Sequence, residues 1–253
     1  GDEGTFAVTA RSVLRGEFSN PFSSGPWGYP SLLFIFQGWL MELTGETIAG
    51  ARMLSAVLGT ASVVAIYWLT RHHFGRWTGL VAAVIAAAFN FHLFWSRDAQ
   101  NAIAPMLFIP LALLFLDRGL VGRSRMDSLA AGLVIGFAQF FHPSNRILFP
   151  MAAVYAVYAL FYQRPENRAA LVRAVRSLVP NVLWVTAGAV IGHLPLLAYF
   201  NTYRQAFSDR TNQVSVFGSG WLDQEQVITG KGPVEILWIQ LRNAAMLPFN
   251  TVP

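Results

Sequence analysis

Past about residue 50 the chain is a succession of apolar runs, each near the length of a bilayer crossing and each followed by a short charged connector. A hydrocarbon core about 30 Å thick takes roughly 20 apolar residues of helix. The runs Met53–Thr70, Trp77–Trp95, Ala99–Leu116, Ser128–His142, Ile147–Tyr162 and Leu178–Phe200 meet or approach that length and are almost free of Asp, Glu, Lys and Arg. A surface helix of a water-soluble domain carries a polar stripe along one face, and these runs carry none. The fold class they dictate is all-α: a polytopic transmembrane helical bundle with about six spans between residues 53 and 200.

The rest of the chain is read around those spans as one transmembrane domain. Residues 1–51 form an outer loop with interfacial helices, residues 201–232 a second outer loop, and residues 233–253 the start of a further helix. Within the first loop, Pro30–Thr44 is apolar but short, is broken by Gln37, Gly38 and Glu42, and carries Trp39. That length suits a helix lying along the membrane surface. Were it to span, Asp2 and Arg97 would fall on opposite faces. No charged leader with an apolar core precedes residue 30, the chain starts at Gly1, and Pro253 closes no recognisable element. An N-terminal fragment of a larger membrane protein, with an inserting helix upstream, is therefore expected.

Orientation follows from the arginines. The connectors Arg71–Arg76, Asp117–Asp127 and Gln163–Ser177 hold nine Arg against three acids, Asp117, Asp127 and Glu166, whereas the other side holds nine basic residues and ten acids over much more chain. Basic residues gather in short cytoplasmic loops, so these three connectors are assigned to the cytoplasm, the protein to the plasma membrane, and Ser96–Asn101, Pro143–Arg146 and Asn201–Gly232 to the outside. The net charge of +5 is spread over the connectors and forms no basic face, so headgroup anchoring rather than a nucleic-acid partner explains it. The absence of cysteine removes disulfides, thiolate metal sites and cysteine nucleophiles.

Polar chemistry collects on the outer side. Asp2 and Glu3 precede a short helix expected over Thr5–Leu14, Trp27–Pro30 forms a turn, and Ser96–Asn101 brings Arg97 and Asp98 to the end of a span. His142–Arg146, Tyr203–Arg204 and Asp209–Arg210 follow. Carboxylates, guanidinium groups and an imidazole on one membrane face are what transfer from a phosphate-bearing lipid requires: a base for the acceptor and cations for the departing phosphate.

The acidic pair before a short helix, the Pro-led segment after it, Gly50-Ala51-Arg52-Met53-Leu54-Ser55, His73-Phe74-Gly75-Arg76 and Trp95-Ser96-Arg97 occur in an order that resembles GT-C glycosyltransferases. Within that superfamily the chain resembles the family 39-like bacterial enzymes related to protein mannosyltransferases and aminoarabinose transferases, and the resemblance covers most of residues 2–210. It implies transfer of a hexose or pentose from a polyprenyl-phosphate sugar to an acceptor hydroxyl on a protein, lipid or polysaccharide, outside the cytoplasm and with inversion. It further implies that Asp2 is the general base, with Glu3 supporting it or binding substrate. Arg97, Asp98, His142, Arg146, Arg204 and Arg210 are the candidate substrate and phosphate ligands. Where relatives carry an acidic residue five positions beyond the Ser-Arg pair, this chain has Ala102, and Asp98 is the available substitute.

Each of these residues also has a plainer role open to it. Asp2 suits a helix N-cap, Arg97 and Asp98 suit a pair at a helix end, and His142, Arg146, Arg204 and Arg210 suit headgroup contact. No cofactor is assigned; a divalent metal is compatible with the chemistry but no ligand set indicates one. Adjacent His72 and His73 do not share a helical face, lie on the cytoplasmic side and are expected to have no carboxylate beside them, so a metal site there is rejected. Thr229–Gly232 is too short for a phosphate loop. The spacings Gly132–Gly136 and Gly188–Gly192, and more weakly Ser55–Gly59, allow close helix approach and are read as packing within one subunit. The alternative function is a transporter or lipid-linked-sugar flippase without transferase chemistry. An ion-coupled transporter needs ionisable groups near mid-membrane, which these spans lack. Convergence of Asp2 and Arg97 on one cavity is the spatial feature that favours the transferase.

Overall fold

A computed structural model describes residues 2–17, 31–162, 167–202, 204–205, 208, 212 and 215–246, the side chains of Asp2 and Ser31 excepted. These residues are helical and include no strand. The Trp27–Pro30 turn, Tyr203, Asp209 and Arg210 lie outside the described residues, as does the side chain of Asp2. The chain divides into two compact units, Gly1–Tyr199 and Phe200–Pro253.

The first unit is built around α3, Ile48–Phe74. Thr47 caps its start by accepting the Gly50 N–H, and Gly75, at φ 88°, ends it. That left-handed backbone suits glycine alone among common residues. From Arg52 to His72 the helix rises about 30 Å, close to the thickness of a bilayer's hydrocarbon core. Ahead of it come α1, Asp2–Leu14, and α2, Ser31–Thr44. The helix α1 begins three residues earlier than the sequence suggests, so Asp2 occupies its first position rather than preceding it. Halfway along α2, Gln37 donates to the carbonyl of Ala51 at the head of α3. That bond ties the middle of the short apolar helix to the start of α3.

Beyond Gly75 the chain returns along α3 as α4, Arg76–Ala88, and α5, Asn90–Trp95. The run expected to be one span, Trp77–Trp95, is thus broken at Phe89, whose backbone is extended. Gly79 lets α4 approach closely: a Cβ there would lie 3.0 Å from the Tyr67 carbonyl oxygen. A connector then leads to α6, Ala104–Leu116, which continues through a π-helical turn, Asp117–Val121. This span starts five residues later than expected, because residues 99–101 take part in a braced loop.

From there α7, Arg125–Ala138, runs back. At 14 residues, about 21 Å, it starts three and ends four residues earlier than the expected Ser128–His142 span. A 3₁₀ turn, Pro143–Ile147, leads into α8, Leu148–Tyr162, and α9, Arg168–Thr202, follows. Among the described residues four stretches are long and apolar enough to cross a membrane: Ile48–Phe74, Ala104–Val121, Pro143–Tyr162 and Arg168–Thr202. Large apolar side chains of α4, α8 and α9, among them Val84, Val154 and Ile191, stay exposed, as a lipid-facing surface requires.

The glycine spacings pack inside the chain. Gly132 and Gly136 of α7 face Gly188 and Gly192 of α9, and a Cβ on Gly136 would stand 2.5 Å from the Ala189 carbonyl oxygen. The second unit carries α10, Trp221–Thr229, set between Gly220 and Gly230, which are both left-handed. It also carries α11, Pro233–Met246, at whose start Lys231 and Glu235 pair at 3.2 Å.

Candidate active site

The candidate site lies at the Arg52 end of α3 and rests on a loop, residues 96–103, whose polar groups are held from three sides. Gln37, fully buried, donates through Nε2 to the carbonyls of Ala51 and Ala99 at 2.8 and 2.9 Å. Ser55 of α3 donates to the carbonyl of Asp98 and lies 2.8 Å from Asn101 Oδ1. Asn101 itself, left-handed at φ 57°, returns its amide N–H to the Ala99 carbonyl at 3.1 Å. Gly59, one turn beyond Ser55, leaves room for Ser96, whose side chain a Cβ would strike. In an apolar setting each of these groups is costly when unpaired, so the bonds fix the loop rather than decorate it.

The third support comes from α1. The Glu3 carboxylate takes a two-point bond from Arg52, Nε to Oε1 at 2.6 Å and Nη2 to Oε2 at 2.9 Å. It also accepts the Ala99 N–H at 3.1 Å. The Arg52 guanidinium bond, with the Ala99 amide behind it, holds the Glu3 carboxyl below its ordinary pKa against an opposing effect of partial burial. Glu3 is consequently an ionised strap joining α1, α3 and the loop.

A cavity of about 560 Å³ opens at this junction, lined by Glu3, Arg52, Asn90, Leu93, Phe94, Arg97, Asp98 and Gln100. Arg97 is exposed to it. Its backbone N–H bonds the Phe94 carbonyl, and its guanidinium makes no hydrogen bond or ion pair with another described residue. Asp98 turns Oδ1 to the Gln100 N–H at 3.2 Å. The plainer alternative, an Arg97–Asp98 pair, is not formed, and both side chains line the cavity. A guanidinium, a carboxylate, two amides and an aromatic ring on one wall can bind a phosphorylated, hydroxyl-rich ligand.

Three of the sequence-derived candidates, Glu3, Arg97 and Asp98, meet in this cavity. Asp2 is the neighbour of Glu3 in α1. His142 and Arg146 do not line the cavity. Their 3₁₀ turn lies at the same end, since Phe36 of α2 stacks on Phe141 at 5.8 Å, but His142 Nδ1 accepts the Ser144 N–H and caps the turn. Arg146 is half-buried near His193. Arg204 is exposed and belongs to the second unit. Ala102, at the position where an acid was expected, faces an apolar groove with Ile66, Leu69 and Phe91, which is no place for an unpaired carboxylate.

Arg52, Asn90 and Gln100 were not singled out from the sequence. A charge at the head of an apolar run and an Asn inside one were the available signals. A further correction concerns His72 and His73: a carboxylate does stand beside them, Asp117 Oδ2 lying 2.7 Å from His72 Nε2. It comes from the end of α6, 45 residues away, where α6 has run alongside α3 in the same direction.

Comparison with known proteins adds a family to this geometry. The family model described as dolichyl-phosphate-mannose-protein mannosyltransferase matches residues 29–185. The match contains Arg52, Arg97 and Asp98 and starts after α1. No curated protein and no solved structure matches the chain.

Proposed function

Because the chain belongs to this family of GT-C-type membrane glycosyltransferases, we propose that it transfers a sugar from a polyprenyl-phosphate donor at the Glu3–Arg97 cavity, on the extracytoplasmic face of the plasma membrane. The observation that carries the reading is the junction itself: Glu3 bonds the amide of Ala99, so the start of α1 and the Arg97 loop share one cavity.

In the proposed step Asp2 takes the proton of the acceptor hydroxyl. The freed oxygen attacks the anomeric carbon from the face opposite the phosphate and inverts it. The carbon–oxygen bond to phosphate breaks with its electron pair going to the phosphate, whose growing charge Arg97 meets. A general base supplies about 10²–10⁴ in rate, and a cation aimed at developing charge is commonly of similar weight. Glu3 stays ionised throughout and sets the spacing between α1 and the loop. Asp98, Asn90 and Gln100 are placed for the sugar hydroxyls.

The test is sugar transfer in membranes carrying the full-length protein at matched expression. Asp2→Asn is expected to lower turnover by about 10²–10⁴-fold with donor binding retained. Arg97→Ala is expected to weaken the donor and slow transfer together. Wild-type turnover in Asp2→Asn would remove the proposed base.

A further inference from the structure

We infer that His72, His73 and Asp117 bind a divalent transition-metal ion of the zinc class at the end of α3 opposite the sugar-transfer cavity. One ligand atom from each of the three lies within 4.8 Å of the other two. His72 Nε2 stands 2.7 Å from Asp117 Oδ2, and the two imidazole rings are edge-on at 5.0 Å. Neighbouring residues on a helix diverge by about 100°. These two stand in the last turn of α3, before Gly75 breaks the helix, so an ion just off the helix end can be reached by both.

The carboxylate is prepared for the role. The free oxygen of Asp117, Oδ1, accepts the Tyr155 hydroxyl of α8 at 2.6 Å. A hydrogen-bonded partner behind a ligating carboxylate is the usual way a metal ligand is oriented. Asp117 also opens the π-helical turn at the end of α6, an irregularity frequent at functional positions. Nearby cations are turned elsewhere: Arg118 pairs with Asp127 at 3.1 Å, and Arg71 and Arg76 lie over the rings of Tyr67 and Trp77. The carboxylate charge is thus left to the histidine pair.

Two imidazoles and a carboxylate form a donor set suited to Zn²⁺ and its borderline neighbours, with a fourth position for water. Tetrahedral bonds of about 2.0–2.1 Å separate ligand atoms by roughly 3.3 Å. Binding would therefore part His72 from Asp117 slightly and draw His73 inward. The bound ion would clip the end of α3 to α6 and, through Tyr155, to α8.

An ordinary His72–Asp117 ion pair explains the 2.7 Å contact but gives His73 no part. The experiment uses that difference. Full-length protein without a histidine tag, stripped with chelator, is titrated with Co²⁺ and the visible absorption of tetrahedral Co²⁺ is followed; Zn²⁺ then displaces it. Wild type is expected to bind about one equivalent. Affinity is expected to fall at least about 100-fold in His73→Ala and about tenfold in Tyr155→Phe. Because His73 is exposed, His73→Ala should melt like wild type in chelator, so lost binding reports the ligand and not the fold. Absence of stoichiometric binding to wild type, or wild-type binding by His73→Ala, overturns the site.

Discussion

Glu3 and Asp2 are chemically alike and adjacent, yet the surroundings of Glu3 commit it to holding Arg52 and the Ala99 amide. Glu3→Gln removes the anion while keeping the shape. Arg52 is 46 % exposed, which screens the pair, so the expected loss is about 0.5–1 kcal/mol in melting or denaturant unfolding. Transfer should fall more, about tenfold, since displacing the Arg97 loop misplaces a ligand of the reacting phosphate. If the strap acts as a unit, Glu3→Gln/Arg52→Gln should cost little beyond the worse single variant. The pH dependence has a definite sign. A carboxyl with its pKa lowered in the folded state contributes stability fully above its unfolded value and loses it as pH falls through the folded one. Wild type should therefore shed more stability than Glu3→Gln on acidification below the ordinary glutamate range. The sequence displayed Glu3 as an acid near a helix start. It could not display the strap, because the partners are 49 and 96 residues away. The same distance hid Asp117 from the two histidines.

At the scale of elements, apolar runs located the helices because lipid forbids charge along them. They misjudged the breaks, because a break is settled by which distant groups can satisfy the backbone it frees. In sequence, residues 99–103 read as the start of a span, but Gln37 and Asn101 both satisfy the Ala99 carbonyl and Ser55 that of Asp98, which holds the segment as a loop. A lone glutamine in a 14-residue apolar helix was the legible trace of that arrangement. Gln37→Leu removes the side-chain donor to the Ala51 carbonyl and leaves the Ala99 carbonyl to Asn101 alone, and the expected cost is about 1–3 kcal/mol, read as a lowered melting temperature with transfer reduced. Gln37→Met, of similar length, should fare no better, since the donor and not the volume is missing. The glycine spacing was read correctly as internal packing. Gly136→Leu would drive a side chain into the α9 backbone at Ala189. The variant is expected to lose several kcal/mol or fail to accumulate, whereas Gly4→Ala, with open space around its Cβ position, should be neutral in the same assay.

For the molecule as a whole, the bonds within the first unit determine which polar clusters share an end even though they do not assign the ends to sides. Ser55 meets Asn101 and His72 meets Asp117, so α3 and α6 run in the same direction with α4 and α5 returning between them. The Glu3–Arg97 cavity and the histidine pair are then about 30 Å apart along α3, close to the thickness of the hydrocarbon core. The proposed orientation puts the histidine end in the cytoplasm, on the excess of arginine over acid there. Since these 253 residues contain no cysteine, single cysteines can test the assignment in a cysteine-free background. Gln100→Cys, on the cavity wall, should react with a membrane-impermeant maleimide added to intact cells. Arg125→Cys, exposed at the start of α7, should react only after permeabilisation. The reverse pattern would place the cavity in the cytoplasm and withdraw the outward-facing transfer reaction. Labelling of both sites from outside would mean that Ala104–Val121, the stretch between them, does not cross the membrane.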